Sequence, residues 1–185
     1  ALQETESFFW SHFTDTYLEL SKARARSEQP EDAAGRGSAV AALRLGLSVL
    51  LRLLAPVLPY ITEEVWSWLF AEETGHGSIH RAPWPGDADF EGVAAPDGEH
   101  SFDLSVAALA AINKAKADAE VSMGREVETL TISASSATLA DVAPVLSDVL
   151  AATRCRAHEL VADDAAEAGD FDIRDAVFAP KPQPR

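Results

Sequence analysis

The chain has 185 residues, 47% of them hydrophobic, and thirty acidic against fifteen basic side chains, so its formal net charge is -15. This composition predicts a soluble, globular, cytoplasmic protein, and without about 20 uninterrupted apolar residues it predicts no membrane span. The acidity argues against a broad basic surface for nucleic acid. The single cysteine, Cys155, allows no internal disulfide, and without a second thiol or paired histidines at ligand spacing no zinc site is expected.

The first predicted element is a helix over residues 4–26. Its apolar side chains recur every three or four residues and therefore share one face: Phe9, Phe13, Tyr17 and Leu20. Three basic residues close it: Lys22, Arg24 and Arg26. They either complement the dipole at the helix C-terminus or contact phosphates. A flexible loop is predicted over residues 27–37, which contain a proline and two glycines.

A second helix is predicted from Ser38, a candidate N-cap, to a break at Pro56. Arg44 and Arg52 lie on one side of it, beside the leucine stripe. Because no acid occurs between Ser38 and Ile61, neither arginine has a partner on its own helix. A solvated face and a phosphate-binding face would both show this pattern. A short helix is predicted to follow, with Thr62 as its N-cap.

Residues 71–100 are predicted to form a long loop, in which Trp84 is interpreted as a plug against the bundle. A third long helix is predicted over residues 102–121. Lys114 and Lys116 lie on it, each with an acid four residues later, a spacing typical of an exposed, salt-bridged helix. Three long helices and a short one predict an antiparallel helical bundle over residues 1–126.

The remaining residues, 127–185, are predicted to form a small α+β appendage. Strands are expected over residues 127–133, 155–161 and 171–178, and a helix over residues 141–152 with Pro144 in its first turn. The predicted fold class is therefore mainly α, an antiparallel helical bundle followed by a small α+β unit.

Four segments carry a resemblance to a known family. They read FFWSHFTDTYLELSKAR over residues 8–24, SAVAALRLGLSVLLRLLAPVLPYITEEVWSWLF over 38–70, GSIHRAPWP over 77–85 and INKAKADAEVSMGREV over 112–127. In sequence and spacing they resemble the C-terminal, anticodon-binding domain of valyl-tRNA synthetases, which are class I aminoacyl-tRNA synthetases. The likeness covers most of residues 8–133. Isoleucyl and leucyl enzymes share this bundle, so the amino acid is assigned by the resemblance alone.

The resemblance implies that the chain binds the anticodon stem-loop of valine tRNA and adjoins a catalytic domain of the same polypeptide, with neither DNA nor a membrane as partner. The class I catalytic signatures are absent, since residues 76–80 read HGSIH and residues 121–124 read VSMG. No catalytic residue, metal ligand or cofactor is therefore expected in this chain, and ATP would belong to the full-length enzyme. We expect no catalytic activity from the chain alone.

Eight residues are candidates for contact with tRNA: Arg44, Arg52, Lys22, Arg24, Arg26, Trp10, Lys114 and Lys116. Arg44 and Arg52 rank first because they lack an acid on their own helix. Trp10 could stack on an unpaired base, although an aromatic at helical spacing more often belongs to a core. The charge of -15 supports an alternative, an acidic protein-interaction module derived from a synthetase bundle that has lost RNA binding.

Overall fold

The chain divides into two units, residues 1–95 and residues 96–185, in a computed structural model that describes residues 2–95 and 98–181. The first unit is helical, and the second combines three helices with a three-stranded sheet. These elements confirm the predicted class, a mainly α protein in which a helical bundle is followed by a small α+β unit.

The first unit begins with one continuous helix of two kinds. Leu2–Ser7 (α1) and Leu18–Ala25 (α2) are α-helical, whereas the ten residues Phe8–Tyr17 between them are π-helical. The backbone N–H of Leu18 accordingly donates to the carbonyl of Phe13, five residues earlier. A helix was predicted here, but its π-helical middle was not.

Helix α3, Ala33–Leu54, runs back along this first helix. Gly35 faces Arg24 and Gly46 faces Phe13, so the two helices are antiparallel. The predicted loop over residues 27–37 is wrong in its second half, because a 3-10 turn at Pro30–Asp32 leads directly into α3. Glycine disfavours a helix by only about 1 kcal/mol, which packing outweighs here. Ser38 is thus an interior residue and not an N-cap.

Helix α4, Pro59–Leu69, begins before the predicted N-cap. Pro59 occupies the first turn, where a missing N–H costs nothing, and the hydroxyl of Thr62 donates to the carbonyl of Leu58 at 2.8 Å. A short helix, Ala71–Thr74 (α5), follows and ends at Gly75. The core of the unit joins these helices to α3 and the following loop: Leu51, Ala55, Trp66, Phe70 and Ile79.

The loop after α5 is anchored by Ile79 and not by Trp84. The Trp84 side chain is 62% exposed, which contradicts its predicted role as a plug, whereas Ile79 is buried in the core. Trp66 donates from Nε1 to the carbonyl of His76 at 2.8 Å, and the carboxylate of Glu63 accepts from the backbone of Ile79 at 2.9 Å. These two hydrogen bonds hold the loop where an aliphatic side chain can enter the core.

The second unit is built on a sheet with strand order β2-β1-β3. Its elements in chain order are α6 (Ser101–Asp118), β1 (Val127–Ala134), α7 (Ser136–Val142), α8 (Leu146–Thr153), β2 (Cys155–Ala162) and β3 (Asp172–Phe178). Strand β1 is parallel to β2 and antiparallel to β3. The parallel pair requires a crossover, which α7 and α8 provide.

Two expectations about the second unit change. The helix predicted over residues 141–152 is divided by a 3-10 turn at Ala143–Val145, because Pro144 has no N–H to donate. Helix α6 packs with α7, α8 and β3, so it groups with the sheet, although the predicted boundary at residue 126 placed it in the bundle. Its alanine-rich face allows close packing but does not reveal which element packs there.

The segment Pro30–Leu54 is long and apolar enough to cross a membrane by length and composition, a property that the count of uninterrupted apolar residues had missed. Core helices of soluble proteins pass the same test. This segment carries Arg36, Arg44 and Arg52 and packs against α2 and α4. The absence of a membrane partner therefore stays a prediction.

Candidate nucleic-acid interface

Arg52, one of the two leading tRNA candidates, is buried and paired. Its side chain is 7% exposed, and its guanidinium contacts both carboxylate oxygens of Asp89, at 2.5 and 3.3 Å. The guanidinium also donates to the carbonyls of Ser48 and Pro83. Arg52 therefore ties α3 to the loop, and the premise that it forms part of an unpaired stripe is wrong.

Asp89 receives a third hydrogen bond, from the backbone N–H of Gly86 at 2.8 Å. The hydrogen bond from Arg52 and then that from Gly86 lower the pKa of the Asp89 carboxyl below its ordinary value. The ion pair thus persists at neutral pH, which leaves Arg52 little capacity to meet an RNA phosphate.

Arg44, the other leading candidate, also has a partner. Its guanidinium lies 2.5 Å from the Glu73 carboxylate, donates to the carbonyl of Leu69 at 3.2 Å and sits 5.0 Å from the centre of the Phe70 ring. Helix α5 brings Glu73 across to α3, although 29 residues separate the pair in sequence. The expectation that Arg44 is unpaired is therefore wrong. Because the pair is exposed, contact between Arg44 and tRNA stays a prediction.

Lys116 is fully buried, with 0% of its side chain exposed. Its ammonium donates to the carbonyls of Met123 at 2.9 Å and Thr153 at 2.7 Å. Burial, and then the nearby Arg154 charge, lower the pKa of Lys116. The predicted exposed pair with Glu120 is wrong because α6 ends at Asp118, and the buried ammonium has no access to RNA.

Lys114, two residues earlier, has the opposite environment. It is exposed and lines a cavity of about 410 Å³ between α6 and β3, together with Asp118, Asp172 and several alanines. This position lies in the second unit, and its contact with RNA stays a prediction.

The three bases that close the first helix lie at one turn with a fourth that sequence reasoning missed. We call this surface the basic turn: Lys22, Arg24, Arg26 and Arg36, within residues 22–36. The guanidinium of Arg36 donates to the carbonyl of Ser27 at 3.0 Å. The aliphatic part of the Arg24 side chain lies against Gly35, because a Cβ added at Gly35 would be 3.3 Å from the Cδ of Arg24. Arg36 was missed because residues 27–37 read as a loop.

The basic turn differs in charge from the rest of the protein. Residues 22–36 hold four bases and three acids, against fifteen and thirty in the whole chain. Lys22 is already paired with Glu19, whereas Arg26 and Arg36 are exposed. Two exposed guanidinium groups at the joint of a helical hairpin can donate to phosphate oxygens with little rearrangement.

Trp10 is exposed on the π-helical segment and packs edge-on against Phe9, with ring centres 4.9 Å apart. With 57% of its surface exposed, it lies outside the core. It precedes Lys22 by twelve residues, or about three helical turns. The structure does not bring Trp10 together with the basic turn.

Comparison with known proteins identifies the family. A family profile described as the anticodon-binding domain of tRNA ligase matches residues 1–132. A valine-tRNA ligase of Salinispora tropica is 46% identical over 166 residues, which cover 82% of this chain and 18% of that protein. A valine-tRNA ligase of Thermobifida fusca is 44% identical over 132 residues, which cover 71% of this chain and 14% of that protein.

A third relative extends further along the chain. A valine-tRNA ligase of Bifidobacterium longum subsp. infantis is 37% identical over 182 residues, which cover 90% of this chain and 19% of that protein. The chain thus spans less than a fifth of the length of the relatives that it matches. On these matches, the chain belongs to the anticodon-binding domain family of tRNA ligases.

Proposed function

We propose that the chain binds the anticodon stem-loop of valine tRNA as the C-terminal part of a cytoplasmic valine-tRNA ligase. The observation that supports it most directly is the basic turn, an accumulation of bases on an otherwise acidic member of this family. Formation of the aminoacyl-tRNA, with its use of ATP, is assigned to the part of such an enzyme that lies outside this chain, and no cofactor is assigned to the chain itself.

In this proposal Arg26 and Arg36 position the RNA through its backbone. Phosphate contacts fix register and orientation and supply most of the sequence-independent affinity. Arg24 approaches the same turn from α2, and Trp10 remains available to stack on an unpaired base further along the helix. Arg52 and Lys116 are assigned no RNA contact, because their cationic groups are enclosed by protein oxygens.

The test compares two double variants that remove the same charge. Arg26→Ala with Arg36→Ala changes the basic turn, and Arg156→Ala with Arg174→Ala changes exposed ion pairs of the second unit. In gel shifts with valine tRNA, we expect only the first to weaken binding and to reduce the salt slope by about one unit for each phosphate that is no longer bound. Both should keep the stability of the parent within about 0.5 kcal/mol.

Equal weakening by the two double variants would overturn the assignment to the basic turn, since it would show a dependence on net charge alone. Competition between valine tRNA and isoleucine tRNA in the same assay tests the amino-acid assignment. Equal affinity for both would remove the valine identity from the proposal.

A second function, an acidic protein-interaction module, is favoured by one observation. No lysine or arginine occurs between Arg52 and Arg81, and this stretch exposes several large apolar side chains. If the unmodified chain fails to shift valine tRNA even at low salt, this second function replaces the first.

A further inference from the structure

The outward side of α4 and the turn before it form an apolar surface. Five large hydrophobic side chains are exposed within twelve residues, and we call them the α4 face: Val57, Leu58, Tyr60, Ile61 and Trp68. Tyr60 is 90% exposed and Trp68 67%. Single exposed hydrophobic residues are ordinary, whereas a contiguous group marks a surface that a partner covers.

The α4 face is not the side by which the helix joins its own core. Thr62 and Trp66 are buried four residues apart, and Phe70 continues this side. Tyr60, Glu64 and Trp68 repeat the same spacing two residues out of phase, which turns them to the opposite side of the helix. A helix that is apolar on both sides is typical of an element buried on both sides. Within the described residues of the first unit, only the side that carries Thr62 and Trp66 is covered.

Charge limits what can cover the α4 face. Between Arg52 and Arg81 there are four acids and no lysine or arginine. Glu63 is turned inward to Ser78 and Ile79, and Glu73 is paired with Arg44. Glu64 is left exposed between Tyr60 and Trp68 on the α4 face, and Glu72 is exposed on the short helix that follows. This surface would repel RNA phosphates, and two copies facing each other would bring identical acids together in chains of net charge -15.

We propose that the α4 face docks against another folded part of the same synthetase polypeptide, a surface with an apolar centre and lysine or arginine at its rim. This inference rests on the proposed role as part of a longer ligase. The matched relatives are more than five times as long as the segment they share with this chain. An intramolecular partner needs little affinity of its own, because covalent connection gives it a high effective concentration.

The test replaces the matching segment of the Salinispora tropica ligase with this chain and compares the chimera with the chain alone. Hydroxyl-radical oxidation is followed residue by residue. Oxidation of Tyr60 and Trp68 should be at least about fivefold slower in the chimera, because side chains at the centre of an interface keep little accessible surface. Unchanged oxidation rates at both residues would overturn the proposal.

Variants give an independent readout. Tyr60→Ser with Trp68→Ser should lower the melting temperature of the chimera and leave that of the isolated chain unchanged, whereas Trp84→Ser, at another exposed tryptophan, should change neither. Equal effects of the double variant on both proteins would show a role inside the unit and overturn docking. A dimer of the isolated chain in sedimentation, abolished by the double variant, would instead identify a second copy as the occupant.

Docking and RNA binding can fail separately. The double variant should leave the valine-tRNA gel shift of the isolated chain unchanged, because the α4 face has no cation. If Tyr60 and Trp68 are oxidised as fast in the chimera as in the isolated chain, while the isolated chain still shifts valine tRNA, docking alone is overturned. Protection in the chimera without any gel shift overturns RNA binding by the isolated chain alone.

Discussion

At the scale of single residues, the buried cations organise the protein. The Lys116 ammonium donates to the carbonyl of Met123, in the loop after α6, and to that of Thr153, at the end of α8. Within the described part of the second unit, no other side chain joins these two carbonyls. The last carbonyls of a helix carry partial negative charge, which favours an ammonium at this position. Arg154 donates to the carbonyl of Gly124 in the same loop.

Burial makes the contribution of Lys116 depend on pH. Because its pKa is lowered from 10.5, the folded protein binds fewer protons than the unfolded chain between the two pKa values. The free energy of unfolding should therefore rise as the pH rises through that interval. In urea titrations between neutral pH and pH 10.5, Lys116→Met should show a smaller rise than the parent. Identical pH profiles would show that Lys116 is not desolvated in solution.

Arg52 and Arg44 should differ in stability although both are paired. Arg52→Ala removes a side chain that is 7% exposed and leaves the half-buried Asp89 carboxylate with only the Gly86 N–H as a donor. We expect a loss of about 2 kcal/mol in the free energy of unfolding. Arg44→Ala removes an exposed pair, for which about 1 kcal/mol is an upper limit. Urea denaturation of the two variants checks the order. A loss for Arg44→Ala equal to that for Arg52→Ala would contradict it.

At the scale of elements, the first hairpin depends on one close approach. A Cβ added at Gly46 of α3 would lie 2.6 Å from the Phe13 ring, inside any normal contact distance. The π-helical segment presents this ring, and Phe13 also stacks on Tyr17 with ring centres 6.0 Å apart. The ring has little room to yield, because it is held on two sides.

Two glycines of α3 should respond oppositely to alanine. Gly46→Ala forces the Phe13 ring to move and should lower the free energy of unfolding by about 1–3 kcal/mol. Gly37 has no atom within 4 Å of its Cβ position, so Gly37→Ala should raise the free energy of unfolding by up to about 1 kcal/mol through helix propensity. Thermal unfolding of both variants tests this, and a stabilised Gly46→Ala would show that the helices are further apart in solution.

At the scale of the whole molecule, the sequence predicted the helices and strands better than it predicted which residues contact each other across them. The strand expected over residues 127–133 is Val127–Ala134, because alternation of apolar and polar side chains is a local signal. The π-helix was not predicted, since aromatics four residues apart suit an α-helix as well as the wider π turn. The acids that pair with Arg44 and Arg52 come from 29 and 37 residues away, where no local pattern reaches.

The absence of class I catalytic motifs gives a prediction for the chain as a whole. The purified 185 residues should show no valine-dependent exchange of pyrophosphate into ATP, measured with radiolabelled pyrophosphate. The Salinispora tropica ligase serves as the positive control. Exchange above background that depends on valine would contradict the assignment of catalysis to another part of the polypeptide.

The strand order β2-β1-β3 has a consequence for synthesis on the ribosome. Of the three strands, the central strand β1 is made first, and its neighbour β3, which ends at Phe178, is made last. The sheet therefore cannot close until Phe178 has left the exit tunnel. Residues 1–95 contain their own core and can fold during that interval, since domains generally fold as units from the N-terminus. The nascent chain should thus acquire protease resistance in two steps, with the helical unit first.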